Sequence, residues 1–172
     1  MKSGDIILVT GTAWISKQIM AKTALPTDEI TVSHAGLFIC DQYVLEALPK
    51  GVVTSKYPDS FPETHYIFSP KNITTVQQAD ICKKALTYSA DPYGWGKLGT
   101  QYLDWLTSSK VWSSYGLDKY PICSYIVAQA YKSVGLDFGV PTKGTTPMDI
   151  LRFCLNNIDK YDWTNWTKGE GK

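Results

Sequence analysis

The sequence predicts an α+β domain, an antiparallel sheet packed against a helix that opens at Cys123. Three observations lead there. Short β-branched and apolar runs follow one another between Asp5 and Phe68, the pattern of an antiparallel meander. Apolar residues recur at helical spacing within 76–86 and again within 126–134. At 172 residues, 44% hydrophobic and 19% charged, the chain is ordinary globular material that fits a single domain, 1–172, with a full core.

The elements read in order as follows. Asp5-Ile6-Ile7-Leu8-Val9 is an unbroken apolar run ending at Gly11, the pattern of a buried strand. Trp14, Ile15, Gln18, Ile19 and Lys22 fall at helical spacing, so one short helix closes before Pro26. Thr31 to Ile39 reads as a strand, as do Tyr43–Leu48, Gly51–Thr54 and His65–Phe68. Thr75-Val76-Gln77-Gln78 opens a helix with a capping-box pattern, and Val76, Ala79, Cys82, Lys83 and Leu86 form its stripe. Asp91-Pro92-Tyr93-Gly94-Trp95-Gly96 breaks it. Thr100 to Lys119 is aromatic and irregular, one short helix plus a loop. Cys123 to Val134 is a helix whose Ile126, Val127, Ala130, Tyr131 and Val134 share a face, and Gly135 stops it. Thr146 and Pro147 supply the N-cap and first position of a last helix, and the polar tail after Tyr161 frays.

Net charge is +1 with no basic run, which gives no electrostatic case for nucleic acid or an anionic membrane. No zinc-type Cys/His spacing is present, so neither a metal nor a cofactor is expected. No stretch of 18 apolar residues exists to make an integral membrane segment. Met1-Lys2-Ser3-Gly4-Asp5 lacks the apolar stretch of a signal peptide, so a cytoplasmic, reducing setting is expected, with Cys40, Cys82, Cys123 and Cys154 as free thiols. Oligomeric state is left open.

Two segments carry chemistry. Cys123 follows Tyr120-Pro121-Ile122 at a helix start, where unpaired N–H groups and the dipole favour a thiolate. Cys40, Cys82 and Cys154, at a strand end or inside helices, read as packing residues. A nucleophilic thiol needs a base, and His34 lies on the strand Ser33-His34-Ala35-Gly36-Leu37. His65 is the alternative histidine, at the head of a strand beside Tyr66. Strand parity adds Glu46. If the hairpin turns around Cys40 with an odd-length loop, Glu46 lies opposite His34, and a slip of two residues still leaves them diagonal neighbours on one face. Glu46 sits within Val44-Leu45-Glu46-Ala47-Leu48, where a carboxylate needs a partner, although an exposed edge position would also accommodate it.

Four segments together resemble the NlpC-type cysteine peptidases, papain-like in core, and within them the circularly permuted YiiX-like branch, related to the lecithin:retinol acyltransferase group. Gly4-Asp5-Ile6-Ile7-Leu8 is similar to the opening strand, and Ser33-His34-Ala35-Gly36-Leu37-Phe38-Ile39 to the histidine strand. Tyr120-Pro121-Ile122-Cys123-Ser124 is similar to the nucleophile segment, and Thr146-Pro147-Met148-Asp149-Ile150 to a late Thr-Pro helix start. In the unpermuted branch the cysteine comes first, whereas here His34 precedes Cys123. The resemblance implies a papain-like fold with Cys123 as nucleophile, His34 as base and Glu46 as the residue orienting it. It also implies a backbone oxyanion hole at Cys123, with Tyr120 near the site. Tyr93-Gly94-Trp95-Gly96 resembles the Tyr-x-Trp-Gly motif that unpermuted members carry just before their cysteine, but here an aromatic insertion, Tyr102 to Tyr120, intervenes. Ser33, Tyr93, Trp95 and Tyr120 are thus the candidate substrate-binding residues.

The expected activity is hydrolysis of an amide bond in a peptide, of cell-wall type in one version, through a thioester on Cys123. Two alternatives stand beside it. The first is a lipid-directed acyltransferase or thioesterase in which Trp105, Leu106, Val111, Trp112 and Tyr115 line an acyl channel rather than a lid or packing cluster. The second is a catalytically silent binding module on the same fold.

Overall fold

The structure, a computed structural model, describes residues 1–61, 64–92 and 122–166. Strands β1 (Ile6–Val9), β2 (His34–Phe38), β3 (Tyr43–Leu48), β4 (Gly51–Lys56), β5 (His65–Pro70) and β6 (Tyr161–Trp166) form one antiparallel sheet in the order β4-β3-β2-β1-β5-β6. The described helices are α1 (Trp14–Thr23), α2 (Thr75–Leu86), α3 (Cys123–Lys132) and α4 (Pro147–Asn156), with a 3₁₀ turn at Thr142–Gly144. The α+β class is as the sequence predicts.

The sheet is not the simple meander expected. β2, β3 and β4 follow one another, but β1 lies between β2 and β5. Ile6-Ile7-Leu8-Val9 is apolar at every position, and such a run requires cover on both faces, which a central strand has. Its even residues face a core with Ala35, Leu37, Leu45 and Phe68, closed by Ile126, Val127 and Tyr131 of α3, Ile81 of α2 and Met148 and Leu151 of α4. Its odd residues join Phe38, Val44 and Ile67 under Phe61, from the β4–β5 connection.

Three further expectations are corrected. β2 begins at His34, not Thr31, because Val32 N–H donates to Met148 Sδ at 3.3 Å and the Thr31 carbonyl accepts from the Thr10 hydroxyl. The cap of α2 is Thr74, one residue earlier than the pattern suggested, with Gln77 completing the box. The tail after Tyr161 does not fray at once: 161–166 forms edge strand β6 on β5, with Trp163 stacked on Phe68. Residues 167–172 lie outside the described residues.

Two local features fix the helix that carries Cys123. Its C-terminus closes as predicted at Gly135, whose φ of +80° favours glycine, with Leu136 N–H returning to the Tyr131 carbonyl and Gly135 N–H to that of Lys132. Its axis is held by Tyr131, fully buried, whose hydroxyl donates to the Gly4 carbonyl at 2.7 Å. Ile126 and Val127 are buried beside it, and each such side chain contributes about 1.5–3 kcal/mol.

Candidate active site

His34 opens β2 and Glu46 lies on β3. The register pairs Gly36, not His34, with Glu46, so the histidine and carboxylate are diagonal neighbours on one face. The side chains close the gap: His34 Nε2–H donates to Glu46 Oε2 at 2.7 Å. Gly36 directly across from Glu46 is a packing requirement. A Cβ there would lie 2.6 Å from Val44 Cγ1 and 3.0 Å from Ile7 Cγ2. Glu46 is only 5% exposed and His34 20%, so little water competes for the pair.

Cys123 is the first residue of α3. Its N-cap, Ile122, is extended (φ −107°, ψ 165°) and offers no side-chain cap, which leaves the first N–H groups of the helix unclaimed by a cap. The thiolate form accepts hydrogen bonds from the N–H of Ser124, within that first turn, and of Ala35 on β2. Registered pairing of β2 with β3 stops at Gly36, one residue short, so the Ala35 N–H is not used by β3. The helix start is itself pinned, since the buried Ser124 hydroxyl donates to the Thr145 carbonyl at 2.7 Å. Thr145 immediately precedes Thr146, which caps α4 in a box with Asp149, as the Thr-Pro pattern predicts. The late Thr-Pro segment therefore locates the nucleophile helix through Ser124.

His34 and Cys123 hydrogen-bond to each other. With Nε2 given to Glu46, Nδ1 is the nitrogen left for the thiol. Burial alone disfavours the imidazolium, but the Cys123 thiolate and the Glu46 carboxylate outweigh it and raise the His34 pKa from 6.5 to about 10. Burial likewise pushes the Cys123 thiol up, and the His34 charge with the Ala35 and Ser124 N–H groups more than reverses this, so its pKa is lowered. Each group thus favours the charged form of the other.

The other thiols differ. All four cysteines are free. Cys82 and Cys154 are buried and burial raises both their pKa values, the reverse of Cys123. His65, the alternative base, lies across β1 from His34, since Val9 pairs with both. It is fully buried, shares a hydrogen bond with the Tyr57 hydroxyl at 3.1 Å and stacks on Trp166.

Cys123, His34 and Glu46 line one cleft of about 460 Å³ together with Gly11, Ser16, Ile19, Lys50 and Phe61. Ser33 also lines it, and its hydroxyl accepts from Gly11 N–H at 3.1 Å. Tyr93, Trp95 and Tyr120, and with them the 100–120 aromatic segment, lie outside the described residues. Sequence reasoning missed Lys50 and the α1 residues Ser16 and Ile19. A Cβ at Gly11 would collide with the Ser16 side chain, which holds that position to glycine.

No helix among the described residues is long and apolar enough to cross a membrane. No protein-family model matches the chain, and no curated protein matches it in sequence. Among solved structures it is similar to the crystal structure of the metalloprotein YiiX from Escherichia coli O157:H7, DUF1105, at 17% identity and a TM-score of 0.62. The match covers 97% of each chain, and the α+β fold is shared with YiiX.

Proposed function

We propose that the chain is a thiol hydrolase that cleaves an amide bond, with a peptide as the expected substrate, through Cys123, His34 and Glu46. The observation that carries this reading is the charge arrangement at one end of the sheet. Glu46 holds His34 at 2.7 Å, and His34 is held protonated beside a thiol whose pKa is lowered at a helix start. The order of His34 before Cys123 and the likeness in fold to YiiX support reading 1–172 as a single domain of the permuted, NlpC-type papain-like branch.

In this mechanism the Cys123 thiolate attacks the amide carbonyl carbon, and the carbonyl oxygen takes up the negative charge. In this reading the Cys123 N–H, at a helix start with no side-chain cap, receives that oxyanion. Collapse breaks the C–N bond, and the His34 imidazolium gives its proton to the departing amine. A thioester remains. Neutral His34 then takes a proton from water, the hydroxide adds to the thioester, and the carboxylic acid leaves as the thiolate reforms. Glu46 keeps the ring oriented and stabilises the imidazolium at both stages.

YiiX is called a metalloprotein. Among the described residues of this chain, no three His, Cys, Asp or Glu side chains form a group able to hold a metal ion. Nε2 of His34 is committed to Glu46 and its other nitrogen to Cys123. These residues do not fit a metal, and no step runs through one.

The test is the rate of iodoacetamide labelling against pH, with the modified residue assigned by mass spectrometry, in wild type and His34→Ala. Cys123 labels fast below pH 7 in wild type and loses that advantage in the variant. Labelling of Cys123 at the rate of an ordinary thiol of pKa about 8.5 would overturn the reading in favour of a silent binding module.

A further inference from the structure

We propose that the cleft selects acyl donors carrying a carboxylate close to the scissile bond, and that Lys50 is the residue that binds it. This rests on the thiol-hydrolase reading. Lys50 lies at the tip of the β3–β4 hairpin, and pairing of Leu48 with Gly51 fixes that tip at the end of the sheet where Glu46 lies. Its side chain lines the same cleft as Cys123 and His34. Among the described residues it makes no ion pair or hydrogen bond, whereas Lys56, on the next strand, is paired with Asp59 at 3.1 Å. The only carboxylate in the described lining is Glu46, which is 5% exposed and committed to His34. The remaining polar lining is hydroxyl: Ser16, Ser33, Ser55 and Ser60. A cation without a counter-ion, facing a cleft whose one acid is already engaged, attracts an anionic group on whatever enters.

A carboxylate suits this lining better than a neutral chain end. The ammonium offers three donors and a point charge, and the serine hydroxyls donate to the remaining lone pairs. Peptide-like substrates would then be cut near a free carboxyl group.

The experiment compares two small alkylating agents that differ only in charge, iodoacetate and iodoacetamide. In each, the Cys123 sulfur forms a bond to the methylene carbon and iodide leaves. The ratio of their second-order rates at Cys123, read by mass spectrometry, cancels changes in thiolate population. The ratio in wild type exceeds that of Lys50→Gln by roughly three- to ten-fold. Lys50→Arg retains it, Lys50→Glu lowers it further, and added salt shrinks the difference. Lys50 is exposed at a turn, so these variants fold. A ratio unchanged in Lys50→Gln and Lys50→Glu, with iodoacetamide still labelling Cys123 fast, would overturn the Lys50 proposal alone. Slow iodoacetamide labelling of Cys123 in wild type would overturn the thiolate reading and this proposal with it.

Discussion

Glu46→Gln separates the charge of the third residue from its shape. The replacement keeps the length of the side chain and an oxygen that accepts from His34 Nε2, so the 2.7 Å contact has no steric reason to break. What is lost is the negative charge, at a position 5% exposed where solvent does little to screen it. A hydrogen bond to a charged group contributes about 1.5–3 kcal/mol, and about 1.36 kcal/mol corresponds to one pKa unit. The His34 pKa, about 10 in the wild type, therefore falls by roughly one to two pH units in the variant. The assay is direct titration of the His34 ring by NMR, alongside iodoacetamide labelling of Cys123 across the same pH range. Cys123 stays reactive at neutral pH, because its own thiolate still holds the imidazolium, but the alkaline limit of the ion pair retreats by the same amount. A His34 that still titrates at about 10 in Glu46→Gln would refute the electrostatic role given to Glu46. A His34 that drops to its ordinary 6.5 would refute the contribution of the thiolate.

Three other outcomes follow from the structure. Gly36→Ala forces a methyl against Val44 and Ile7 and lowers stability by about 1–3 kcal/mol, read as a fall in the thermal midpoint. Thr146→Ala removes the hydroxyl that accepts from Asp149 N–H and destabilises α4 by about 1 kcal/mol, measured by urea unfolding. The Cys123–His34 pair gives stability a plateau. Folded, it holds one proton, and the unfolded pair also holds one between its ordinary values of 6.5 and 9.0, so its contribution is flat in that window. Below 6.5 the unfolded chain binds a second proton and stability falls toward acid; above 9.0 the unfolded thiol loses its proton while the folded pair keeps one until about 10, and stability falls toward base. Thermal melts of wild type against His34→Gln/Cys123→Ser across pH read this as a difference, which vanishes if the folded pair titrates at its ordinary 6.5 and 9.0.

The candidate site was legible in the sequence wherever periodicity alone decides. His34 and Glu46 fall on one face under either register, because a strand repeats every two residues and the actual slip was two. Cys123 could be placed at a helix start because Ile126, Val127, Ala130 and Tyr131 mark one face and Gly135 the end. What the sequence hid is non-local. Nothing near Ile6 says that β1 is inserted between β2 and β5, since strand order is decided by packing of distant segments. β6 escaped notice because Asp162, Thr164 and Asn165 dilute its aromatic residues, as an edge strand with exposed positions permits. Lys50 gave no local sign of function. Its place in the cleft comes from the hairpin tip and the end of the sheet it reaches.

The placement of the nucleophile so late in the chain bears on synthesis. β1 to β5 all leave the ribosome well before α3, and domains emerge at about 5–20 residues per second. At that stage the face bearing Leu8, Leu37, Leu45 and Phe68 still lacks the side chains of α3 and α4 that cover it in the folded protein. The thiol arrives last and as an ordinary cysteine, because its activation depends on Ala35 and His34, which it meets only on docking. Docking of α3 thus covers part of the core and brings the thiol to His34 in one event, with α4 closing the rest of that face.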